Sequence, residues 1–498
     1  ENELMSLPHA LKSIHFPIDS QDAANARKRL AFDELLILQL GMLTMKNHSR
    51  EKTAYIMDKN TDMTAFFGSL PFEMTDAQKN SIADIINDMS TDSPMNRLLQ
   101  GDVGSGKTAV AAAACYFACQ NGFQSALMAP TEILAVQHYN TLKSFLEPIG
   151  VNVVLLTGSM TAKQKRIAKE ALKSGEAAVA AGTHAIIQKD VEFQRLGLVI
   201  TDEQHRFGVA QRAALADKGN SPHRLVMSAT PIPRTLALII YGDLDISIIN
   251  QMPKGRLPVK TYAVTGKLRK RAYNFIKSEI DNGRQAYIVC PMIEDSDSDL
   301  QAVKSYADKL RIDDFADYEI GLLHGKMKAA EKNEIMSKFK DGKIDLLVCT
   351  TVVEVGVDVP NASIMLIENA ERFGLSQLHQ LRGRVGRGSQ QSHCILLTDN
   401  TGEECIRRMK IMSKTSDGFK ISEEDLKMRG PGDFFGQRQH GLPPLKIADI
   451  ASDMEMMNLT KSIAEDIISK DPQLESREYR GLKLEIIRLF NKNGGFAF

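Results

Sequence analysis

The sequence predicts an α/β fold in which two tandem parallel sheets, each with flanking helices, are followed by a small helical region. Three observations predict it. A glycine-rich loop, Gly101 to Thr108, lies between a strand-like and a helix-like segment. Two sets of short apolar segments alternate with helical segments, which is typical of parallel sheets with crossover helices. After Asp399 the strand-like pattern stops and the chain becomes helical and polar.

The strand-like segments fall into two groups. The first group comprises residues 95–100, 125–129, 151–156, 177–181, 197–201 and 224–228. A linker is predicted at residues 251–258, where two prolines and a glycine interrupt the pattern. The second group comprises residues 285–290, 318–323, 344–350, 364–367 and 393–397, and it has no glycine-rich phosphate loop of its own.

These boundaries predict four regions. Residues 1–68 form an N-terminal linker and helical segment, residues 69–255 a first lobe, residues 256–400 a second lobe and residues 401–498 a C-terminal region. Within the first region, residues 1–46 read as a linker followed by a helix over residues 24–45. Because the first residue is Glu1 and not methionine, we expect a fragment that lacks an N-terminal part.

Composition excludes some classes of protein. The chain has 498 residues, of which 43% are hydrophobic and 25% charged, as in ordinary folded proteins. At roughly 150 residues per domain, this length predicts about three domains. The formal net charge is zero, which argues against a uniformly basic nucleic-acid binder. Any DNA contact must therefore come from local clusters such as residues 267–271 and the pair Arg407 and Arg408.

The cysteines and apolar runs predict the compartment. Six cysteines lie scattered along the chain without paired or zinc-binding spacing, which favours buried free thiols in a reducing environment. The longest uninterrupted apolar run, residues 109–119, is too short to cross a bilayer, and no signal-peptide pattern opens the chain. We expect a cytoplasmic protein.

The glycine-rich loop fits the pattern that binds nucleotide phosphates. Its glycines let backbone N–H groups surround phosphate oxygens, Lys107 reaches the β- and γ-phosphates, and the Thr108 hydroxyl holds Mg²⁺. The glycines concerned are Gly101, Gly104 and Gly106. A glycine loop without nucleotide is the alternative, and the strand before the loop and the helix after it argue against that alternative.

Two carboxylates follow an apolar strand-like segment of the first lobe. In open parallel sheets, ligands bind outside the carboxyl ends of the strands, so Asp202 and Glu203 should face the same crevice as Lys107. Asp202 is predicted to bind Mg²⁺ through water. Glu203 is predicted to orient or deprotonate the attacking water. A solvated acidic loop is the alternative.

The second lobe carries a motif that begins at Gln380 and contains Arg384 and Arg387. Guanidinium groups stabilise the charge of a phosphoryl-transfer transition state, so both arginines are predicted to act on a nucleotide held by the first lobe. The predicted catalytic set is Lys107, Asp202, Glu203, Gln380, Arg384 and Arg387. The alternative is a basic glycine turn that only touches phosphate.

Together these motifs resemble superfamily 2 helicases and translocases, whose two lobes are RecA-like P-loop domains. The spelling of residues 202–212, 227–237, 287–294 and 322–327 resembles the RecG family, and residues 425–433 with 436–441 resemble the translocation motif that RecG shares with the transcription-repair coupling factor Mfd. The resemblance covers essentially the whole chain. It implies an ATP- and Mg²⁺-dependent DNA helicase that remodels replication forks and Holliday junctions in recombination and repair.

The resemblance also implies partners and roles for individual residues. The expected partners are branched double-stranded DNA and single-stranded DNA-binding protein, and the expected state is a monomer. Gln78 is expected to read adenine, with Phe72 stacking on the base, whereas a helix start capped by Thr75 is the alternative. Asp358 is expected to contact the ribose.

Further residues are expected at the DNA. In this family, small hydroxyls and exposed backbone N–H groups hold a strand by its phosphates, a contact that is independent of sequence. The expected positions are Thr131, Thr157, Gly182, Thr183, His184, Thr350 and Thr351. For each threonine, a helix cap or turn is the alternative. Arg429 and Gln439 are expected to couple hydrolysis to movement, with residues 429–432 forming a loop.

Several alternatives remain open at this point. Members of the resembled family carry an N-terminal wedge domain with an oligonucleotide-binding fold, and we expect this chain to begin after it. An Mfd-like translocase is the second reading, although no module for RNA polymerase is recognisable in the sequence. Two further alternatives are a nucleotide-gated DNA clamp without turnover and a restriction-enzyme motor subunit.

Overall fold

The structure is a computed structural model that describes residues 4–48, 55–203, 215, 218–228, 244–253, 255–291, 297–350, 359–386, 388, 390–435, 445–449 and 453–491. The chain divides into two compact units. One comprises Glu1–Glu51, Ile232–Ile246 and Ser422–Phe498, and the other Lys52–Pro231 and Ser247–Ile421. Both sheets lie in the second unit, apart from residues 245 and 246 of one edge strand. The four regions predicted from the sequence are defined differently from these two compact units, so that division stays a prediction.

The first sheet has seven strands in the order β3-β4-β2-β5-β6-β1-β7. The strands are β1 Asn96–Gly101, β2 Gln124–Met128, β3 Val153–Leu156, β4 Val179–Gly182, β5 Leu196–Asp202, β6 His223–Ser228 and β7 Asp245–Ile249. The pairs from β3 through β1 are parallel. Because strands of a parallel sheet are covered on both faces, they read as continuous apolar runs, and β2, β4 and β5 are buried at every residue.

The second sheet has six strands in the order β10-β11-β9-β12-β13-β8. The strands are β8 Lys260–Val264, β9 Gln285–Val289, β10 Ile320–Leu323, β11 Leu346–Cys349, β12 Ala362–Ile367 and β13 His393–Leu397. Each neighbouring pair is parallel. The carboxyl ends of these six strands, and of β1 to β6 in the first sheet, therefore meet along one edge of their sheet.

The described α-helices belong partly to the unit of the two sheets and partly to the other unit. They are α1 Leu7–His15, α2 Ser20–His48, α3 Thr64–Ser69, α4 Asp76–Met89, α5 Lys107–Gln120, α6 Glu132–Leu146, α7 Ala162–Ser174, α8 Arg269–Asp281, α9 Asp297–Lys309, α10 Ala329–Lys340, α11 Leu375–Arg382, α12 Glu403–Lys414, α13 Gly418–Phe435, α14 Met454–Lys470 and α15 Arg480–Asn491. Every residue from Ala109 to Ala118 of α5 is buried. A helix that is apolar on all sides belongs inside the protein, and its alanines let it lie close to the sheet.

In the described residues of the other unit the regular structure is helical, apart from β7's first two residues, Asp245 and Ile246. Its apolar core joins the N-terminal helix α2 to α14 and α15, which come from the end of the chain. Polar contacts reinforce this packing. Arg27 donates two 2.8 Å hydrogen bonds to the Asp453 carboxylate, and Glu34 accepts hydrogen bonds from the backbone N–H groups of three successive residues, 446 to 448.

The predicted fold of two parallel sheets followed by a helical region is confirmed, with corrections in detail. β7 and β8 were not predicted, because both are edge strands whose apolar pattern is weak; β8 has no buried residue. The segment predicted as a linker lies between these two strands. Helix α1 forms where only a linker was predicted.

Residues 429–432 are the clearest error in the fold prediction. A loop was predicted there, but α13 runs through them. Pro431 lacks the N–H that would donate to the carbonyl of Lys427, so the helix continues with one hydrogen bond fewer. Glycine and proline lower helix propensity, but propensity is only a weak guide to where a helix forms.

The cysteine prediction agrees with the structure. All six are free, and all except the half-buried Cys119 are buried. Burial raises the pKa of the Cys115 thiol to about 12, so this thiol stays protonated and unreactive. Among the described helices, none combines the length and the apolar character that crossing a membrane requires.

Candidate functional site

The phosphate loop connects the end of β1 to the start of α5. Gly104 and Gly106 have φ angles of 77° and 88°, in the left-handed region that favours glycine. Lys107 is the first residue of α5, and its Nζ donates to the carbonyl oxygens of Gly101 at 2.8 Å and Asp102 at 3.1 Å. Thr108 follows in the first helical turn. The strand, loop and helix thus have the arrangement that the sequence predicts.

Gln78 connects the start of α4 to the phosphate loop by hydrogen bonds. Its side-chain oxygen accepts the Thr75 N–H at 2.9 Å, and its amide nitrogen donates to the carbonyl of Ser105 at 2.8 Å. Gln78 is 1% exposed and completes a capping box with Thr75, so the helix-start reading is realised. Phe72 is 41% exposed and packs edge-to-face on Phe145. Contacts of Gln78 and Phe72 with a base stay predictions.

Asp202 and Glu203 lie where β5 ends. The Glu203 N–H continues the ladder to the carbonyl of Met227 at 3.0 Å. Glu203 has φ 51°, in the left-handed region, where a residue with a side chain is strained by about 1–2 kcal/mol. Such outliers concentrate at functional sites, because the surrounding structure must hold them in place.

A histidine that was not singled out in the sequence holds Asp202. His138, on α6, lies 2.7 Å from Asp202 Oδ2, and both side chains are buried. Burial alone would raise the pKa of Asp202, but the hydrogen bond and charge of His138, the charge of Lys107 and the Glu203 N–H together bring that pKa below its usual value. Asp202 is therefore an anion at neutral pH and lies within the field of Lys107. The only signal in the sequence is a single histidine on an otherwise apolar helix face.

The second lobe contacts the phosphate loop through a second carboxylate and histidine. His379 Nε2, on α11, lies 2.5 Å from Asp102 Oδ1. Arg382 donates to His379 Nδ1 at 2.9 Å, so the proton of the imidazole is on Nε2 and is donated to Asp102. Burial opposes ionisation of Asp102, but the hydrogen bonds from His379 and from the Val103 N–H and the charge of Lys107 outweigh it and lower the pKa of Asp102.

Arg256 makes a further connection between the lobes. It donates from Nε to the carbonyl of Gly386 at 3.0 Å and from Nη1 to the carbonyl of Val103 at 2.8 Å. Gly383 lies so close to the loop that a Cβ there would be 2.8 Å from Val103 Cβ. Between Gly383 and Gly386 lies Arg384. The segment with Arg384 is thus held against the phosphate loop, and Gln380 lies on the helix just before it.

The predicted DNA residues of the first lobe are close to one another. Thr131 caps α6, since its side chain accepts the Leu134 N–H at 3.4 Å. The next residue, Glu132, accepts the Ser159 N–H at 2.8 Å, which connects this helix start to the loop after Thr157. Gly182 ends β4, and a Cβ there would be 2.0 Å from the carbonyl of Leu156. His184 is exposed.

Thr183 and Thr350 are buried, and their hydroxyls have no hydrogen-bond partner among the described residues. Neither hydroxyl therefore accepts a hydrogen bond from the first turn of a helix, whereas the hydroxyl of Thr131 does. Five predicted positions cannot be placed: Thr351, Asp358, Arg387 and Gln439 lie outside the described residues, as does the side chain of Arg429. All the DNA and coupling roles stay predictions.

Three family models match the chain. DEAD/DEAH box helicase covers residues 75–239, and Helicase conserved C-terminal domain covers residues 268–389. The first lies on the first sheet and the second on the second sheet, so the prediction of two tandem RecA-like domains is confirmed. ATP-dependent DNA helicase RecG, domain 3, C-terminal, matches residues 415–494.

Whole-chain comparisons agree with these models. The chain is 47% identical to ATP-dependent DNA helicase RecG of Synechocystis over 98% of this chain and 59% of that protein. It is 48% identical to the Bacillus subtilis RecG over 96% of this chain and 71% of that protein. A solved structure of RecG bound to a three-way DNA junction superposes with a TM-score of 0.75 and 43% identity, over 92% of this chain and 60% of that one. The chain thus spans about three fifths to seven tenths of its relatives, and it belongs to the RecG family of ATP-dependent DNA helicases.

Proposed function

We propose that this chain is the ATP-driven motor of a double-stranded DNA translocase that acts on branched DNA, regressing replication forks and migrating Holliday junctions in recombination and repair. Membership of the RecG family supports the proposal. RecG in the solved structure is bound to a three-way DNA junction. We extend that substrate class to this chain, with DNA held mainly through phosphate contacts in both lobes.

One observation carries the ATPase part of the proposal. The segment that contains Arg384 packs against Val103 of the phosphate loop, which supports the proposal that groups from two lobes act on one nucleotide. A motor needs this arrangement, because nucleotide binding and hydrolysis can then change the closure of the lobes. A phosphate loop with no second lobe against it would give no reason to expect that hydrolysis moves one lobe relative to the other.

The residues fit a magnesium nucleotide. Gly104 and Gly106 have the backbone angles of a phosphate-binding loop, and Lys107 supplies a charge close to Asp202. An ionised carboxylate and a hydroxyl are oxygen ligands of the kind that Mg²⁺ prefers, which suits Asp202 and Thr108. When bound, the metal would neutralise phosphate charge. Glu203 would orient the attacking water, and Arg384, with Gln380 and Arg387 of the same motif, would stabilise the transferring phosphoryl group.

The central test is turnover by variants of the phosphate loop and the carboxylate pair. Lys107→Ala should abolish nucleotide binding or steady-state phosphate release, because its charge is lost from the phosphate site. Glu203→Gln should bind nucleotide and fail to hydrolyse it. The exposed Lys143, on α6, provides the control Lys143→Ala, which should behave like the wild type. Normal turnover in both site variants would refute the assignment of the site.

The same assay separates the motor from a nucleotide-gated clamp. A clamp would bind ATP and DNA and release no phosphate in steady state, with or without branched DNA. A motor should be stimulated by DNA. Action as a monomer, contact with single-stranded DNA-binding protein and a cytoplasmic location belong to the proposal as well, and sedimentation with and without that partner checks the first two.

A further inference from the structure

Asp202, the predicted magnesium ligand, is contacted directly by His138. The sequence motifs do not explain this contact. Its Nε2 lies 2.7 Å from Asp202 Oδ2, and the two side chains are 7% and 11% exposed. An ionised carboxylate has no proton to donate, so the imidazole nitrogen is the donor. Because the pair is shielded from water, this hydrogen bond is stronger than the same contact at the surface and fixes the orientation of Asp202.

The helix that carries His138 starts at the predicted DNA contacts. Thr131 caps α6, and Glu132 in its first turn accepts a hydrogen bond from Ser159 beside the Thr157 loop. His138 lies six residues beyond Glu132, or about 9 Å along the axis at a rise of about 1.5 Å per residue. One rigid element therefore joins the predicted DNA loops to the nucleotide site.

We propose that His138 is a positioning residue that holds Asp202 in the orientation needed for magnesium binding, and that α6 transmits DNA engagement at its N-terminus to Asp202. The proposal rests on the proposed ATPase function and adds to it the route by which DNA regulates that site. His138 is not proposed to contact the nucleotide itself. Residues that hydrogen-bond a metal ligand fix its orientation, and their loss lowers metal affinity or activity by about 10- to 100-fold.

The first test measures metal binding apart from turnover. The probe is Mn²⁺, whose free concentration is followed by electron paramagnetic resonance in the presence of the protein and ADP. His138→Leu, which keeps an apolar fit but removes the donor, should weaken Mn²⁺ binding by about 10- to 100-fold. His138→Gln, whose amide can donate from a similar place, should recover most of the affinity. Asn140→Ala, at an exposed position of the same helix, is the matched control.

The second test measures coupling to DNA. The ratio of phosphate release with and without branched duplex should fall in His138→Leu even at saturating Mg²⁺, while Asn140→Ala keeps the wild-type ratio. A merely structural role would lower the melting temperature of His138→Leu without changing either Mn²⁺ affinity or the DNA stimulation ratio. Wild-type values for both quantities in His138→Leu would overturn the proposal.

Failure of this proposal differs from failure of the proposed function. If the wild-type protein neither binds Mn²⁺ with ADP nor releases phosphate, the ATPase assignment itself is wrong. If the wild type does both and His138→Leu matches Asn140→Ala, only the positioning role is wrong. If Mn²⁺ affinity falls and the stimulation ratio does not, the part of the proposal that assigns transmission to α6 is overturned.

Discussion

At the scale of single residues, the groups predicted to bind the nucleotide and its magnesium ion already have partners within the protein. Lys107 bonds to the carbonyls of its own loop, Gln78 bonds to Thr75 and Ser105, and Asp202 bonds to His138. Nucleotide binding must therefore exchange some of these contacts, such as those of Lys107, for contacts with the nucleotide. The sequence identifies the chemical groups, whereas the exchange becomes apparent only from the distances.

Arg384 gives the prediction that separates transition-state from ground-state contacts. Arg384→Ala should lower ATP turnover by about 10³-fold or more while nucleotide affinity changes little, because an arginine finger acts chiefly on the charge that develops during phosphoryl transfer. Phosphate release and the binding of a fluorescent nucleotide measure the two quantities. The exposed Arg372 supplies the control Arg372→Ala. An equal loss of affinity and turnover would assign Arg384 to ground-state binding.

At the scale of elements, the strands at the sheet centres were predicted well and those at the edges were not. Central strands are covered on both faces and must be apolar throughout, so their pattern is visible in the sequence. β7 and β8 are edge strands of their sheets, and most of their residues are not buried. Their apolar pattern is correspondingly weak. Helix α13 was missed over residues 429–432 because glycine and proline favour a loop, although propensity is only a weak guide to whether a helix forms.

The start of β6 gives a prediction about pH. His223 is buried; its Nδ1 accepts the Met95 N–H at 3.0 Å and its Nε2 donates to the carbonyl of Tyr55 at 2.8 Å. Burial lowers the pKa of His223, and the hydrogen bond accepted at Nδ1 requires the neutral ring. The unfolded chain, with a histidine pKa of about 6.5, takes up this proton first. The stability that His223 contributes is therefore present above about pH 6.5 and is lost as pH falls below it.

The measurement is the free energy of unfolding in urea at about pH 7.5 and about pH 5.5, on either side of the histidine pKa. Wild-type stability should fall between the two, and the fall should be smaller in His223→Gln, which has no ring to protonate. His15→Gln, at an exposed histidine, should leave the wild-type difference unchanged. An undiminished fall in His223→Gln would contradict the assignment.

At the scale of the whole molecule, charge limits how the chain can hold DNA. The formal net charge is zero, so there is no overall attraction to a polyanion. Most predicted contacts are hydroxyls and backbone N–H groups directed at phosphate, which carry no information about sequence or branching. The chain alone should therefore bind duplex weakly and should not distinguish a fork from a linear duplex.

Titration of fork and linear duplex at two salt concentrations tests this. Affinity for both should fall by about tenfold or more between about 50 and about 200 mM salt, because the contacts that remain are electrostatic. The same titration with a longer protein that includes an N-terminal wedge domain should give tighter and less salt-sensitive binding to three-way junctions, through stacking at the branch. Strong fork preference by the present chain would instead assign branch recognition to the two lobes or the C-terminal helices.

The sequence by itself determined the features that depend on short stretches of chain: the phosphate loop, the carboxylates after an apolar strand, the arginine motif and the two parallel sheets. Each motif, and each single strand of the sheets, is encoded within about ten neighbouring residues, because strand burial and loop geometry are local requirements. Only the tertiary structure decided that His138 holds Asp202, that His379 holds Asp102 across the two lobes, and that α2 packs with the last helices. These contacts join residues far apart in the chain, and a single sequence carries no record of which distant side chains the fold brings within hydrogen-bonding distance.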